Sequence, residues 1–121
     1  MKEKVAILGA SDRPERYAHM AFRMLKEYGH ETMLVSPKLK AIEGQPVYAS
    51  LGEIKEPVDT LTMYVGPATS REIAAEILNL KPKRVIFNPG SENPELAEKL
   101  RQANVAVENA CTLVLLRSGQ F

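Results

Sequence analysis

Val5-Ala6-Ile7-Leu8-Gly9-Ala10-Ser11-Asp12-Arg13-Pro14-Glu15-Arg16 opens with four consecutive apolar residues and turns polar at a glycine. A short, unbroken apolar run suits a strand buried on both faces, the habit of parallel sheets covered by helices. Immediately downstream, Tyr17 to Tyr28 places Met20, Met24, Leu25 and Tyr28 at helical spacing, and Gly29 supplies a C-terminal stop. A strand, a glycine turn and a helix in that order form the start of a βαβ unit.

The same alternation continues outward. Thr32 to Val35 reads as a second strand, halted by Ser36-Pro37. Lys38 to Pro46 has the composition of a loop, and Ser50 to Ile54 forms one short helical turn. Leu61 to Val65 is the third strand, closed by Gly66-Pro67. Thr69 or Ser70 caps a helix running to about Leu80, with Glu72 favoured by the dipole of its first turn. Arg84 to Phe87 is strand four. Asn93 caps and Pro94 opens the next helix, with Leu96, Ala97 and Leu100 inward. Val105 to Val107 is strand five, and Thr112 to Leu116 packs as a final helix. Parallel strands joined by right-handed helical crossovers imply a three-layer, doubly wound, Rossmann-like α/β fold. The expected sheet has five parallel strands in the order 3-2-1-4-5.

Composition bounds the function. At 121 residues the chain fits one domain, 1–121, of ordinary size. A formal net charge of +1 argues against a nucleic-acid binder driven by a strongly basic field. The single cysteine, Cys111, excludes an intrachain disulfide and leaves no zinc cluster, so a reducing, cytoplasmic setting is expected. The apolar run after Met1-Lys2-Glu3-Lys4 is too short for a signal-peptide core or a membrane span.

In an open parallel sheet, ligands bind beyond the carboxyl ends of the strands, near the switch point beside strand one. The strand exits therefore carry the candidates. In the first, Gly9 makes the tight turn and Ala10 and Ser11 leave room for a phosphate near backbone N–H groups. Ser11 adds a hydroxyl, and Arg13 and Arg16, flanking Pro14, can pair with phosphate oxygens. The second exit, Val35-Ser36-Pro37-Lys38-Leu39-Lys40, carries no acid until Glu43. NAD sites usually place a carboxylate there for the ribose hydroxyl. Lys38 or Lys40 would instead attract a ribose phosphate, which leaves NADP and coenzyme A as candidates. The remaining exits are Val65-Gly66-Pro67, Asn88-Pro89-Gly90 and Asn109-Ala110-Cys111.

The run from Gly9 to Arg16 resembles the opening motif of small stand-alone coenzyme A-binding proteins, related to the N-terminal domain of the succinyl-CoA synthetase α subunit. Ile42-Glu43-Gly44-Gln45-Pro46-Val47-Tyr48-Ala49-Ser50-Leu51 resembles that family's second motif, and Glu56-Pro57-Val58-Asp59 resembles its lead into the third strand. Gly90, Asn93 and Cys111 also fall where the family has such residues. Ile86 and Asn88 stand where the family usually has Trp and Gln, and Ala110 stands where a basic residue commonly precedes the cysteine.

The resemblance selects coenzyme A over NADP as cofactor. It implies that Gly9, Ala10, Ser11 and Arg13 face the pyrophosphate, and that Pro37 with Lys38 or Lys40 meets the adenosine and its 3′-phosphate. Val65, Gly66 and Pro67, with Phe87, Asn88, Pro89 and Gly90, would line the path of the nucleotide and pantetheine arm. Cys111 either meets the cofactor's thiol end or is a small residue packed at a strand end; alone it marks no nucleophile.

His19 and His30 lack the partner pattern of a metal site or triad, and the methionines at 20, 24, 33 and 63 read as core filling. No carboxylate pair stands out as an acid/base couple. The expectation is a coenzyme A-binding module without a catalytic site, acting as a sensor, carrier or regulatory partner. The competing readings are an NADP-dependent reductase, a subunit of an acyl-CoA enzyme, or a ligand-free scaffold. Neither a homo-oligomer nor a protein partner can be read from the chain.

Overall fold

The computed structural model describes residues 2–121. Its elements are β1 (Lys4–Leu8), α1 (Tyr17–Glu27), β2 (Glu31–Val35), β3 (Ala41–Ile42), β4 (Gln45–Tyr48), a 3-10 turn (Leu51–Glu53), β5 (Thr60–Met63), α2 (Pro67–Glu72), α3 (Ala74–Leu80), β6 (Arg84–Phe87), α4 (Pro94–Gln102), β7 (Ala106–Asn109) and α5 (Thr112–Arg117). Alternate residues of the strands feed two cores. Val5, Ile7 and Leu34 pack under α1 and α5 with Phe22, Leu25 and Leu116. Ala6, Leu8, Leu61, Met63, Val85 and Phe87 pack under the opposite helices with Ile77, Leu96 and Leu100. The result is the expected α/β Rossmann-like sandwich.

The sheet corrects both the strand count and the strand order. It has seven strands in the order β3-β4-β2-β1-β5-β6-β7. The segment expected as strand three, now β5, pairs with β1 in parallel and lies on the far side of it from β2. The place beyond β2 belongs to β4, in the stretch read as loop and its continuation. Pro46 inside β4 obscures its strand character, since proline removes a ladder donor and is tolerated at sheet margins. Only Val47 and Tyr48 pair with β2, and β3 closes the edge as an antiparallel partner. The connecting turn, Glu43-Gly44, has φ of 49° and 81° at its two residues. Positive φ at both positions matches the twist of a tight hairpin, at a steric cost for the glutamate.

Two helix readings change as well. The buried face of α1 is Ala18, His19, Ala21, Phe22 and Leu25, whereas Met20 and Met24 are half-buried and Tyr28 is exposed beyond the helix end. The helix after β5 starts earlier than expected, at Pro67 with Gly66 before it, and is interrupted at Ile73. Proline at the first helical position needs no intrahelical N–H partner, which favours the earlier start. Ser70 is consequently buried, donating to the Pro67 carbonyl (3.2 Å) and accepting from Asn93 Nδ2 (2.9 Å). Asn93 also caps α4 as expected, its Oδ1 accepting from the Leu96 amide at 3.1 Å.

Candidate functional site

The β1 exit is tied tightly to the sheet. The Gly9 and Ala10 amides both donate to the Val35 carbonyl, at 3.1 and 3.0 Å. Gly9 has φ +91°, and a Cβ built there would lie 2.8 Å from the Tyr64 carbonyl oxygen, so only glycine fits. The Ser11 hydroxyl accepts from the Arg13 amide (3.1 Å) and keeps its own proton to donate. Above this loop lies a cavity of about 370 Å³ lined by Gly9, Ser11, Arg13, Arg16, Tyr17, Ala18 and Tyr64. The first turn of α1 opens onto it.

A second cavity of about 270 Å³ shares Tyr17 and Tyr64 with the first and adds Asn88, Pro89, Cys111, Leu113 and Arg117. The two adjoin as one trough across the carboxyl ends of β1, β5 and β6. Its lining holds three arginines and no carboxylate, and none of the three forms an ion pair among the described residues. Uncompensated guanidinium groups around a concave surface attract anions.

Beneath the second cavity, Asn88 is a clamp. Its Nδ2 donates to Thr62 Oγ1 (2.7 Å) and the Met63 carbonyl (2.9 Å), and its Oδ1 accepts from the Thr112 amide (2.9 Å). The Thr62 and Thr112 hydroxyls bond each other at 2.8 Å. The Tyr64 hydroxyl, by contrast, is buried without a hydrogen-bond partner. Burial pushes its pKa up to about 12, against a smaller opposing effect of the neighbouring Thr112 and Thr62 hydroxyls. The hydroxyl thus lies beneath the surface, while the rest of the Tyr64 side chain forms a wall shared by both cavities.

Of the residues expected from sequence, Gly9, Ser11, Arg13, Arg16, Asn88, Pro89 and Cys111 come together here. Ala10 is buried beneath the loop, and Phe87 is wholly inside the core. Val65 packs against Gly9. Pro14, Gly66, Pro67 and Gly90 are exposed but line neither cavity, and Gly90 donates instead to Glu92 (2.8 Å). Pro37, Lys38 and Lys40 are exposed on the β2–β3 connection, outside both linings.

Tyr17, Ala18, Tyr64, Leu113 and Arg117 are the additions. A tyrosine directly after a strand, or at the start of the following helix, was the available signal. His30 has a structural place, with Nδ1 accepting from the Glu3 amide and its ring against Phe121. Met33 and Met63 are buried as core residues. Among the described residues no group of three or more His, Cys, Asp or Glu side chains could hold a metal ion, and no helix is long and apolar enough to cross a membrane.

Fold and site together define a Rossmann-like α/β domain with a cationic trough at its switch point. The chain belongs to the CoA binding domain family, whose model matches residues 3–117. That membership lends no support to the NADP alternative. The chain is 27% identical over 100 residues to the uncharacterized protein YneT of Bacillus subtilis, an alignment spanning 83% of this chain and 74% of YneT. A crystal structure of an uncharacterized protein superposes with a TM-score of 0.95 at 41% identity, covering 100% of this chain and 99% of the other. A Thermus thermophilus structure gives 0.88 at 33% identity, with 99% and 91% covered. The fold also recurs in an acetyl-coenzyme A synthetase of Korarchaeum cryptofilum, at 18% identity and TM-score 0.75, where it matches 89% of this chain and 25% of that one.

Proposed function

We propose that this protein binds coenzyme A along the trough, with the pyrophosphate over the Gly9–Arg16 loop and the pantetheine arm passing Tyr17 and Tyr64 toward Asn88, Pro89 and Cys111. The observation that carries this reading is the adjacency of the two cavities across Tyr17 and Tyr64, with Arg13 and Arg16 lining one and Cys111 in the more apolar lining of the other, beside Arg117. Coenzyme A has that same polarity, a charged nucleotide joined to a long, weakly polar arm ending in a thiol. The residues fit the group. Small side chains at the turn admit a phosphate, and the arginines balance its charge. Lys38 and Lys40 are the cations nearest in sequence to the β2 exit, and we assign one of them to the 3′-phosphate.

The module itself is read as non-catalytic, a sensor, carrier or regulatory partner. Calorimetric titration with coenzyme A and with dephospho-coenzyme A tests the reading. Binding of the first, and binding of the second weakened about tenfold by loss of one charge-assisted contact, is the expected result. Equal affinities would remove the lysine assignment, and no binding would remove the cofactor. Thioester hydrolysis or acyl transfer by the purified protein would overturn the non-catalytic part.

A further inference from the structure

His19 is buried, with 2% of its surface exposed, yet it makes two polar contacts. Its Nδ1 lies 2.8 Å from the Ser11 carbonyl oxygen, in the loop that floors the first cavity. Its Nε2 lies 2.8 Å from Glu43 Oε2, at the tip of the β3–β4 hairpin. A carbonyl and a carboxylate have no proton to give, so both ring nitrogens must donate. The alternative, a protonated Glu43, is opposed by Arg23, whose Nε and Nη2 reach the same oxygen at 2.8 and 2.7 Å. That guanidinium, with help from His19, holds the Glu43 carboxyl below its ordinary range. Glu43 meanwhile keeps φ of 49°, a conformation unfavourable for a residue with a side chain. Phe22 lies edge-on to the ring at 6.1 Å between centroids, and the Lys26 ammonium lies 5.0 Å over that phenyl ring.

We propose that His19 is a positioning residue that acts as a two-proton imidazolium, fastening the Ser11 loop to the Glu43 hairpin tip so that the nucleotide site is held in order only while the histidine is charged. A neutral imidazole has one N–H. After deprotonation one of the two oxygens would face a ring lone pair, and that contact would open; at the exposed Glu43 end the carboxylate can turn to water and Arg23 instead. Because the Ser11 loop floors the first cavity and the hairpin follows the Pro37–Lys40 exit, opening at either contact loosens an anion-binding segment. Ligand affinity then falls when the ring loses its second proton.

The affinity arm of the test rests on the coenzyme A reading; the spectroscopic arm does not. In ligand-free protein, NMR spectra recorded across pH follow the His19 ring nitrogens together with the amides of Ser11, Asp12, Glu43 and Gly44. One midpoint shared by the ring and both backbone segments is expected. A single neutral tautomer at every pH, or a ring titration that leaves those amides unmoved, would overturn the proposal. In Glu43→Gln the amide can donate to a neutral ring, so the second contact no longer needs the second proton, and the response of the hairpin amides should vanish.

Coenzyme A affinity should weaken roughly tenfold across the wild-type titration, the worth of one charge-assisted hydrogen bond, and become flat in Glu43→Gln. The second ionisation of a phosphate monoester, near pH 6, would strengthen binding with rising pH and so cannot imitate this trend. Absence of coenzyme A binding at any pH would remove the proposed cofactor while leaving the ring-and-amide result to decide on His19. An identical pH profile in Glu43→Gln would refute the coupling.

Discussion

Arg84 at the amino end of the sheet and the trio Arg13, Arg16 and Arg117 at the carboxyl end use one side-chain type in opposite ways. Arg84 is 17% exposed, with Nη1 on Glu108 (3.0 Å), Nη2 on Glu3 (3.3 Å) and Nε on Thr60 Oγ1 (3.0 Å). Its guanidinium also lies over the Phe121 ring at 4.6 Å. The trio is exposed and has no ion-pair partner among the described residues. A guanidinium held by several acceptors of the chain secures the fold; one whose donors face an open trough is available to a ligand. Charge alone does not distinguish them. The number of protein acceptors within reach does.

That contrast can be broken from either side. The largest effect is expected for the double variant Arg13→Ala with Arg16→Ala. Losing two charge-assisted contacts should weaken coenzyme A binding about 100-fold, while the unfolding free energy from urea titration changes by less than about 0.5 kcal/mol. A large loss of stability with unchanged affinity would reverse their assigned roles. Arg84→Leu should do the opposite. Stranding the half-buried carboxylates of Glu3 and Glu108 costs about 2 kcal/mol, less than for a fully buried pair, and affinity measured on the same preparation should stay within about twofold. Weaker coenzyme A binding at unchanged stability would place Arg84 with the ligand.

Tyr64→Phe sharpens the comparison, because it removes a donor that the fold does not use. Deleting an unsatisfied buried hydroxyl should raise ligand-free stability by up to about 1 kcal/mol and leave coenzyme A affinity within about twofold. A loss of stability would mean that the hydroxyl has a structural partner after all. The smallest effect belongs to the amino end. Burial lowers the His30 pKa, so the unfolded chain binds a proton that the folded one resists. Stability should therefore be complete above the ordinary histidine value of about 6.5 and decline as pH falls just below it, by less than about 1 kcal/mol. Thermal melts of wild type and His30→Gln between pH 5 and 7 should differ in slope, and parallel curves would contradict the burial effect. Hydrogen bonding from the Lys4 amide lowers the Asp59 pKa, adding a further loss at more acidic pH, below the usual carboxylate range near 4.

Local chemistry made part of the site legible. Gly9 was readable because a tight turn after a buried strand needs a residue without Cβ, and the Arg13 and Arg16 side chains follow within one loop. Asn93-Pro94 announced a helix start that the structure contains. Tyr64 was harder to see. It follows β5 directly and looks like one more strand residue, and nothing nearby in sequence indicates that its hydroxyl lacks a partner. Phe87 misled for a related reason. It ends a strand that points at the trough, but its side chain alternates into the core.

The amino-acid sequence by itself determined the alternation of buried strands with amphipathic helices and the small, arginine-bearing loop from Gly9 to Arg16. Both are properties of short windows, where backbone sterics and burial periodicity act locally. Tertiary structure alone decided that β4 rather than β5 lies beside β2, because pairing is chosen among distant segments and β4 adds only two parallel pairs to the sheet. It also decided which arginines found acceptors and brought Tyr17, Tyr64 and Arg117 to one trough. Those outcomes depend on where side chains from separate elements meet, which only the closed sheet and its two helical layers establish.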